Sequence, residues 1–176
     1  MPDVRRENDA PVGDIIIRQW QPADEAAILG LNAGSVSVLS PMGGARFAIL
    51  SRTCSLLKVA EFGGRVVGFF MGFDDAAAHD SVNYRWFAYR LKRFLYIDRV
   101  VVSREFQKAG LGRRFYNEAG HWAAEHRLCW MAAEVDLQPP NTASLRFHER
   151  LGFVEVGRQV TADGKLVSLQ LQSAGV

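Results

Sequence analysis

Residues 94–114 read FLYIDRVVVSREFQKAGLGRR, and this stretch decides the fold. Its first half is apolar and rich in β-branched residues as far as Val102, a composition that predicts a buried strand. A polar turn follows, and then a segment with two glycines, Gly110 and Gly112, opens a helical pattern. A strand, a glycine-bearing loop and a helix in this order can point the free amides of the helix's first turn at a bound anion.

The glycines and the basic side chains of this loop predict a cradle for a diphosphate. Gly110 and Gly112 lack Cβ, so a phosphate can approach the backbone closely. Lys108 and Arg113 add positive charge nearby. A dinucleotide-binding fold would need a third glycine, and a Walker loop would end in Gly-Lys-Ser or Gly-Lys-Thr. Neither of those two patterns is present in the loop.

Two blocks of the chain together resemble motifs of the GCN5-related N-acetyltransferases, the GNAT superfamily. Gln107-x-x-Gly110-x-Gly112 after a Val-rich strand resembles the pyrophosphate-binding motif of that family, Q/R-x-x-G-x-G/A. Downstream, residues 141–153 read NTASLRFHERLGF and are similar to the family's N-x-x-A-x-x-x-Y-x-x-x-G-F. The resemblance spans residues 15–171 and is tight in these two blocks.

The resemblance implies that acetyl-CoA lies between two parallel strands that splay apart at their C-terminal ends. One is the strand of residues 94–102, whose backbone groups would pair with the pantetheine arm as an added strand does. The amides of the glycine loop would meet the pyrophosphate. The cofactor-binding residues implied in this way are Val100, Val101, Val102, Gln107, Lys108, Ala109, Gly110, Leu111, Gly112, Arg113, Asn141 and Ser144.

Acetyl transfer to an amine requires a base that removes a proton from the nucleophile. The segment AEVD resembles the family's strand L-E-V, whose glutamate is the base in some members, and this maps the role onto Glu134. Asp98 and Tyr96 are rival candidates, because they alternate onto one face of an apolar strand. Asp98 has a second interpretation as the partner of an arginine such as Arg99 or Arg93.

The family's tyrosine that protonates the leaving thiolate is replaced here by His148. Imidazolium is a stronger acid than phenol, with a reference pKa of ~6.5 against ~10. His148 is therefore a candidate acid with a different pH profile. The alternative is that His148 only fills space and the thiolate departs with other help, Tyr116 being a weaker substitute.

Residues 74–93 form an insertion much longer than the 2–5 residues of a plain hairpin connection. It begins acidic and ends rich in aromatic side chains and arginine. It is either a cap on the sheet that contains a short amphipathic helix, or a lid over the substrate. Its Arg85 and Arg90 favour an acceptor amine that carries a carboxylate or an apolar group over a polycationic acceptor.

Composition limits the remaining choices. The 176 residues suit one domain, predicted over residues 14–172 after a flexible tail of residues 1–13. A net charge of +2 gives no strong field for nucleic acid, and no apolar run is long enough for a membrane span. Two cysteines and four scattered histidines give no disulfide framework and no metal spacing. We expect a cytoplasmic protein, with a homodimer as an option.

The complete pattern predicts an α/β (α+β) fold with a mixed, mostly antiparallel sheet. The resemblance to the GNAT superfamily adds that the sheet has about seven strands, one parallel splayed pair and about four flanking helices. Gly68 and Gly72 inside one strand either let bulky neighbours pack or admit a ligand. The expected function is acetyl-CoA-dependent transfer of an acetyl group to a primary amine of a small molecule or a peptide N-terminus, by direct attack in a ternary complex. The alternative is a catalytically silent acyl-CoA-binding module.

Overall fold

The computed structural model describes residues 14–35 and 39–174. The predicted flexible tail, residues 1–13, lies outside the described residues. The strands are β1 (Ile16–Gln19), β2 (Leu56–Phe62), β3 (Arg65–Asp74), β4 (Phe94–Val102), β5 (Trp130–Gln138), β6 (Val154–Val160) and β7 (Leu166–Ser173). The helices are α1 (Glu25–Ala33), α2 (Gly44–Thr53), α3 (Val82–Arg90), α4 (Leu111–Glu125) and α5 (Thr142–Leu151).

The seven strands form one mixed sheet in the order β1-β2-β3-β4-β5-β7-β6. Every neighbouring pair is antiparallel except β4 and β5, which run parallel. A tight turn at Gly63 and Gly64, both with positive φ, joins β2 to β3. The predicted mixed sheet with one parallel pair is therefore confirmed.

The two glycines of β3 serve packing. A Cβ on Gly68 would lie 2.8 Å from the carbonyl oxygen of Val101, with Phe115 and Leu111 also close. A Cβ on Gly72 would lie 3.0 Å from the side chain of Leu95. The structure thus decides for the first of the two interpretations, in which these glycines let bulky neighbours approach the strand.

The described residues contain five α-helices, four that flank the sheet as predicted and one that the cap interpretation of the insertion included. The additional helix, α3, lies in the insertion, and Ser81 caps it by accepting the amides of Asn83 and Tyr84. Phe87 of this helix is fully buried in the apolar layer that also contains Phe47 and Phe73. The helix therefore belongs to the core, which supports the cap interpretation of the insertion.

Apolar side chains cover both faces of the sheet. One layer packs α1, α2 and α3 against the sheet, and the other packs α4 and α5 against it. β4 is buried along most of its length because it lies in the middle of the sheet between these layers. None of the helices in residues 14–35 and 39–174 has the length and apolar character needed to cross a membrane.

Candidate active site

The parallel strands β4 and β5 separate halfway along their length. They pair only from Phe94 to Tyr96 on one side and from Trp130 to Ala132 on the other. Beyond that point the edge of each strand that faces the other is free, while β4 continues to pair with β3 through Val102. A cleft of about 1150 Å³ opens at this separation, and both strands line it. The splayed pair that the resemblance implied is present in the structure.

The glycine loop lies at one end of the cleft. Gly110 adopts φ 76°, a left-handed conformation that favours glycine, and no atom lies within 4 Å of the place where its Cβ would be. The first bond inside α4 runs from the amide of Arg114 to the carbonyl of Gly110, so the preceding amides of the turn have no carbonyl of the helix to bind. Gly112 faces the ring of Phe147. These features fit a diphosphate.

The other residues predicted for the cofactor surround this cradle. Val100 and Val102 are half-buried on the free edge of β4, whereas the side chains of Val101 and Leu111 are buried in the core. Exposed residues of the loop and the helix start line the cleft, among them Gln107, Lys108 and Arg113. Ala109 is exposed in the same loop.

Asn141 and Ser144 lie where α5 begins. The Asn141 side chain caps that helix by accepting the amide of Ser144 at 3.1 Å. Both residues line the cleft on the side of the glycine loop. The second sequence motif therefore supplies the opposite wall of the cradle.

Glu134 stands in the open part of the seam. Tyr96, which is fully buried, donates its hydroxyl to Glu134 Oε1 at 2.9 Å. Oε2 is buried and has no hydrogen-bond partner among residues 14–35 and 39–174. Burial raises the pKa of Glu134 to about 7, although the hydrogen bond from Tyr96 opposes this rise. A carboxylate with a pKa near neutrality and a free oxygen can accept a proton from an amine.

Asp98 has the ionic partner Arg99 that one sequence interpretation gave it, and also a histidine that the sequence did not indicate. Arg99 Nε donates to Asp98 Oδ2 at 2.6 Å, and His79 Nε2 lies 3.1 Å from Oδ1. Burial favours the neutral acid, but the hydrogen bond from His79 and the charge of Arg99 outweigh it, so the pKa of Asp98 lies below its usual value. Arg93 is not involved, because its guanidinium donates to the carbonyl of Arg127.

His148 is buried between α4 and α5. Its Nδ1 lies 2.8 Å from the carbonyl oxygen of Ser144, which can only accept, so Nδ1 carries the hydrogen. Its Nε2 lies 2.7 Å from the hydroxyl of Tyr116, which donates to Nε2 when the ring is neutral. Burial lowers the pKa of His148 below its ordinary value. The lowered pKa favours the neutral ring, in which Nε2 accepts from Tyr116 and has no proton to give.

The insertion contributes site residues that sequence reasoning missed. His79, Asp80, Ser81 and Asn83 line the cleft close to Asp98 and Glu134. Ser81 Oγ also lies 3.5 Å from the hydroxyl of Tyr96. The only available signal was a serine before a helical pattern, which is typical of an N-cap.

No set of three or more His, Cys, Asp or Glu side chains is placed to hold a metal ion anywhere in the described part of the chain.

Known proteins with solved structures share the fold of this chain. Solved structures with this fold include Ard1 from Thermoplasma volcanium, with TM-score 0.74 and 18% identity over 90% of this chain and 97% of that one. YncA from Salmonella typhimurium, solved with its cofactor acetyl-CoA, has TM-score 0.69 and 21% identity over 93% and 95%. The ribosomal-protein-alanine N-acetyltransferase from Brucella melitensis has TM-score 0.69 and 21% identity over 90% and 99%.

These likenesses show the fold. A comparison with curated protein sequences gave no match. The sequence model of the Acetyltransferase (GNAT) family matches residues 37–153, a range that contains both motifs, β4 and β5 with Glu134, and the insertion. Since this match covers more than half of the chain, the protein belongs to the GNAT acetyltransferase family.

Proposed function

We propose that this protein transfers the acetyl group of acetyl-CoA to a primary amine, on a small molecule or a peptide N-terminus, by direct attack within a ternary complex. Membership of the GNAT family implies acetyl-CoA-dependent acetyl transfer. The acceptor and the direct route are part of the proposal. The alternative of a silent acyl-CoA-binding module has no support in the comparisons.

One observation carries the proposal, namely the buried and unpartnered Oε2 of Glu134 in the open seam. An unpaired buried carboxylate oxygen is costly and is tolerated where a ligand satisfies it. A primary amine in water is mostly an ammonium ion, which has hydrogens to offer to such an oxygen. With a pKa of about 7, Glu134 takes a proton near neutral pH more readily than an ordinary glutamate does.

The bonds and protons of the transfer balance with Glu134 as base. The ammonium ion gives one proton to Glu134 Oε2, and the freed lone pair forms the C–N bond with the acetyl carbon. The C–S bond breaks, and the second proton lost by nitrogen neutralises the leaving thiolate. Acetyl-CoA supplies the activated acyl group. The chain's own contribution is to hold the base and the amine in place.

For the cofactor, we propose the residues predicted from the sequence. The free edge of β4 at Val100 and Val102 offers backbone groups that no strand of the sheet uses on that side. The glycine loop offers amides and is flanked by Lys108 and Arg113. Among the predicted catalytic residues we propose Glu134 as base and Tyr96 as the group that orients it. Asp98 is proposed as an ion-paired brace of the acceptor wall.

The two roles considered for His148 differ in their fit to its contacts. A packing role that holds Tyr116 agrees with the neutral ring and the lowered pKa. An acid role would require a proton on Nε2, which now accepts from Tyr116. We therefore favour the packing role. A cytoplasmic location and a homodimer remain predictions.

The experiment is a measurement of thiol release from acetyl-CoA in the presence of a panel of primary amines, for the wild type and Glu134→Gln. We expect amine-dependent release by the wild type. The variant should bind acetyl-CoA with unchanged affinity in calorimetry and release thiol about 100- to 1,000-fold more slowly. If acetyl-CoA binds but no amine accelerates its cleavage, the protein is a binding module and the proposal fails.

A further inference from the structure

The half of the cleft beyond the seam, which we call the acceptor end, has more acidic than basic side chains. It is formed by residues 35 and 39–41, the start of α2, the insertion, and the turn between β6 and β7, together with the facing parts of β4 and β5. Its carboxylates are Asp80, Asp98, Glu134, Asp136 and Asp163. Its basic side chains are Arg46, Arg99 and Lys165, whereas the other basic residues of the cleft, Lys108, Arg113 and Arg150, belong to the glycine loop, α4 and α5.

Two of these basic side chains already have a strong ionic partner. Arg46 binds Asp80 through two hydrogen bonds of 2.8 and 2.5 Å. Arg99 binds Asp98, and its Nη1 also donates to Asn32 Oδ1 at 2.8 Å. Both guanidinium groups are thereby neutralised by carboxylates of the chain itself.

The third basic side chain is also paired. Lys165 Nζ lies 3.2 Å from Asp136 Oδ2. His79 adds no charge, because its Nδ1 accepts the amide of Ser81 and its Nε2 donates to Asp98. Within residues 14–35 and 39–174, the acceptor end therefore presents no basic group without an acidic partner.

The arginines of the insertion do not alter this balance. Arg85 and Arg90 lie around a small separate depression with Trp86 and Tyr89, and Arg90 stacks over the Trp86 ring at 4.1 Å. They do not line the cleft. The sequence argument that these arginines favour a carboxylate-bearing acceptor therefore loses its basis.

On the basis of the proposed function, we infer that the acceptor is an amine with no carboxylate on the carbon that bears the nitrogen. Its ammonium group meets the unpartnered Oε2 of Glu134. A carboxylate on the neighbouring carbon would enter a region that has an excess of negative charge and no unpaired cation. If Arg46 turned to a substrate carboxylate, Asp80 would lose its partner and the excess would remain. An amide, ester or hydrogen at that carbon meets no such repulsion.

The test compares matched acceptors that differ only in this group. Glycine, alanine, leucine and phenylalanine are each paired with the corresponding amino-acid amide, and kcat/KM is expressed per neutral amine to remove the difference in amine pKa. We expect the amide to be preferred by at least about tenfold in each productive pair, since like charges brought together at a binding site are strongly disfavoured. Equal values, or a preference for the free amino acids, would overturn the inference.

Asp80→Asn provides an internal control with the same substrates. It releases the Arg46 guanidinium into the acceptor end, so the preference for the amide should fall severalfold. The double variant Asp80→Asn with Arg46→Gln removes both charges and should restore the wild-type ratio. If the ratio of kcat/KM for the amide to that for the free amino acid is the same in the wild type and in both variants, the inference is wrong but the proposed function is not affected. No transfer to either member of any pair, with acetyl-CoA still bound in calorimetry, contradicts the proposed function and the inference with it.

Discussion

Replacing Tyr96 with phenylalanine should change the pH at which the enzyme becomes active. The Tyr96 hydroxyl donates to Glu134 Oε1 at 2.9 Å and so favours the ionised carboxylate. Tyr96 is fully buried, so phenylalanine fills nearly the same space and removes only this donor. The ionised form of Glu134 then loses one of its stabilising contacts, and its pKa should rise from about 7.

The size of this rise follows from the energy of the bond. A hydrogen bond to a charged group contributes about 1.5–3 kcal/mol, which corresponds to a rise of about one to two pKa units. At pH 7 the ionised fraction of Glu134 would fall from about one half to between about a tenth and a hundredth. We expect kcat/KM to be about 5- to 50-fold lower at pH 7 and to recover towards the wild-type value above about pH 9.

The assay is the acid limb of kcat/KM against pH, measured with two acceptors whose amines have different pKa values. If the acid limb reports the ionisation of Glu134, its midpoint pH is the same for both acceptors. If it reports the ionisation of the amine, its midpoint pH differs between the two acceptors. Tyr84→Phe is the matched control, since the buried Tyr84 hydroxyl donates to the carbonyls of Asp74 and Ala77 and not to Glu134. A folded Tyr96→Phe enzyme that loses activity equally at every pH would refute the reasoning.

Four further predictions concern the cradle, the base, the insertion and the second motif. Gly112→Glu should abolish acetyl-CoA binding in calorimetry, because it adds bulk against Phe147 and negative charge in the cradle. The control Gly120→Ala, in the same helix, should bind acetyl-CoA normally. Undiminished affinity in a folded Gly112→Glu variant would mean that the cradle is elsewhere. Glu134→Gln should match the wild type in urea unfolding at pH 4 and be more stable by about 3 kcal/mol at pH 8, because a raised folded-state pKa gives stability that is present below the unfolded value and lost as pH rises through about 7. If the variant and the wild type are equally stable at both pH values, the pKa of Glu134 is not raised in the folded protein. Phe87→Ala should lower the free energy of unfolding by about 3–5 kcal/mol, whereas Tyr89→Ala, at a residue that is 92% exposed, should lower it by less than about 0.5 kcal/mol. A small loss of stability in Phe87→Ala would favour the interpretation of the insertion as a lid. His148→Phe should lower kcat by less than about tenfold, and a larger loss together with removal of an alkaline limb would establish His148 as the acid.

Much of the fold could be predicted because the local signals agree with the tertiary structure. The β-branched run of β4 became a buried central strand, and the Gly63-Gly64 pair became a hairpin turn. The glycine loop began a helix at Leu111, where the pattern placed it. In these segments backbone preference and burial favour the same conformation, so the sequence is sufficient.

The insertion was the hardest part to predict, for a physical reason. Its helix α3 is held by side chains from distant parts of the chain, such as the Trp86 ring against Gly157 and the contact of Asn83 with Gln159. Its periodicity is weak, because aromatic residues occur on more than one face. Contacts of this kind leave no local pattern, so His79 could not be seen as a neighbour of Asp98. Replacing residues 75–90 by a flexible link would remove core side chains such as Tyr84 and Phe87, so point variants are the better test of the insertion.

The roles that the resemblance gave to Glu134 and His148 require opposite protonation states at the same pH. The base must be ionised and the acid protonated. With a pKa of about 7, Glu134 is about half ionised at pH 7, whereas burial lowers the pKa of His148 and so favours its neutral ring. Few molecules hold both states at once, because a lower pH protonates Glu134 and a higher pH deprotonates His148. The histidine in place of the family's tyrosine is therefore better explained by its bond with Tyr116, which brings a phenol to the cleft from α4 instead of α5.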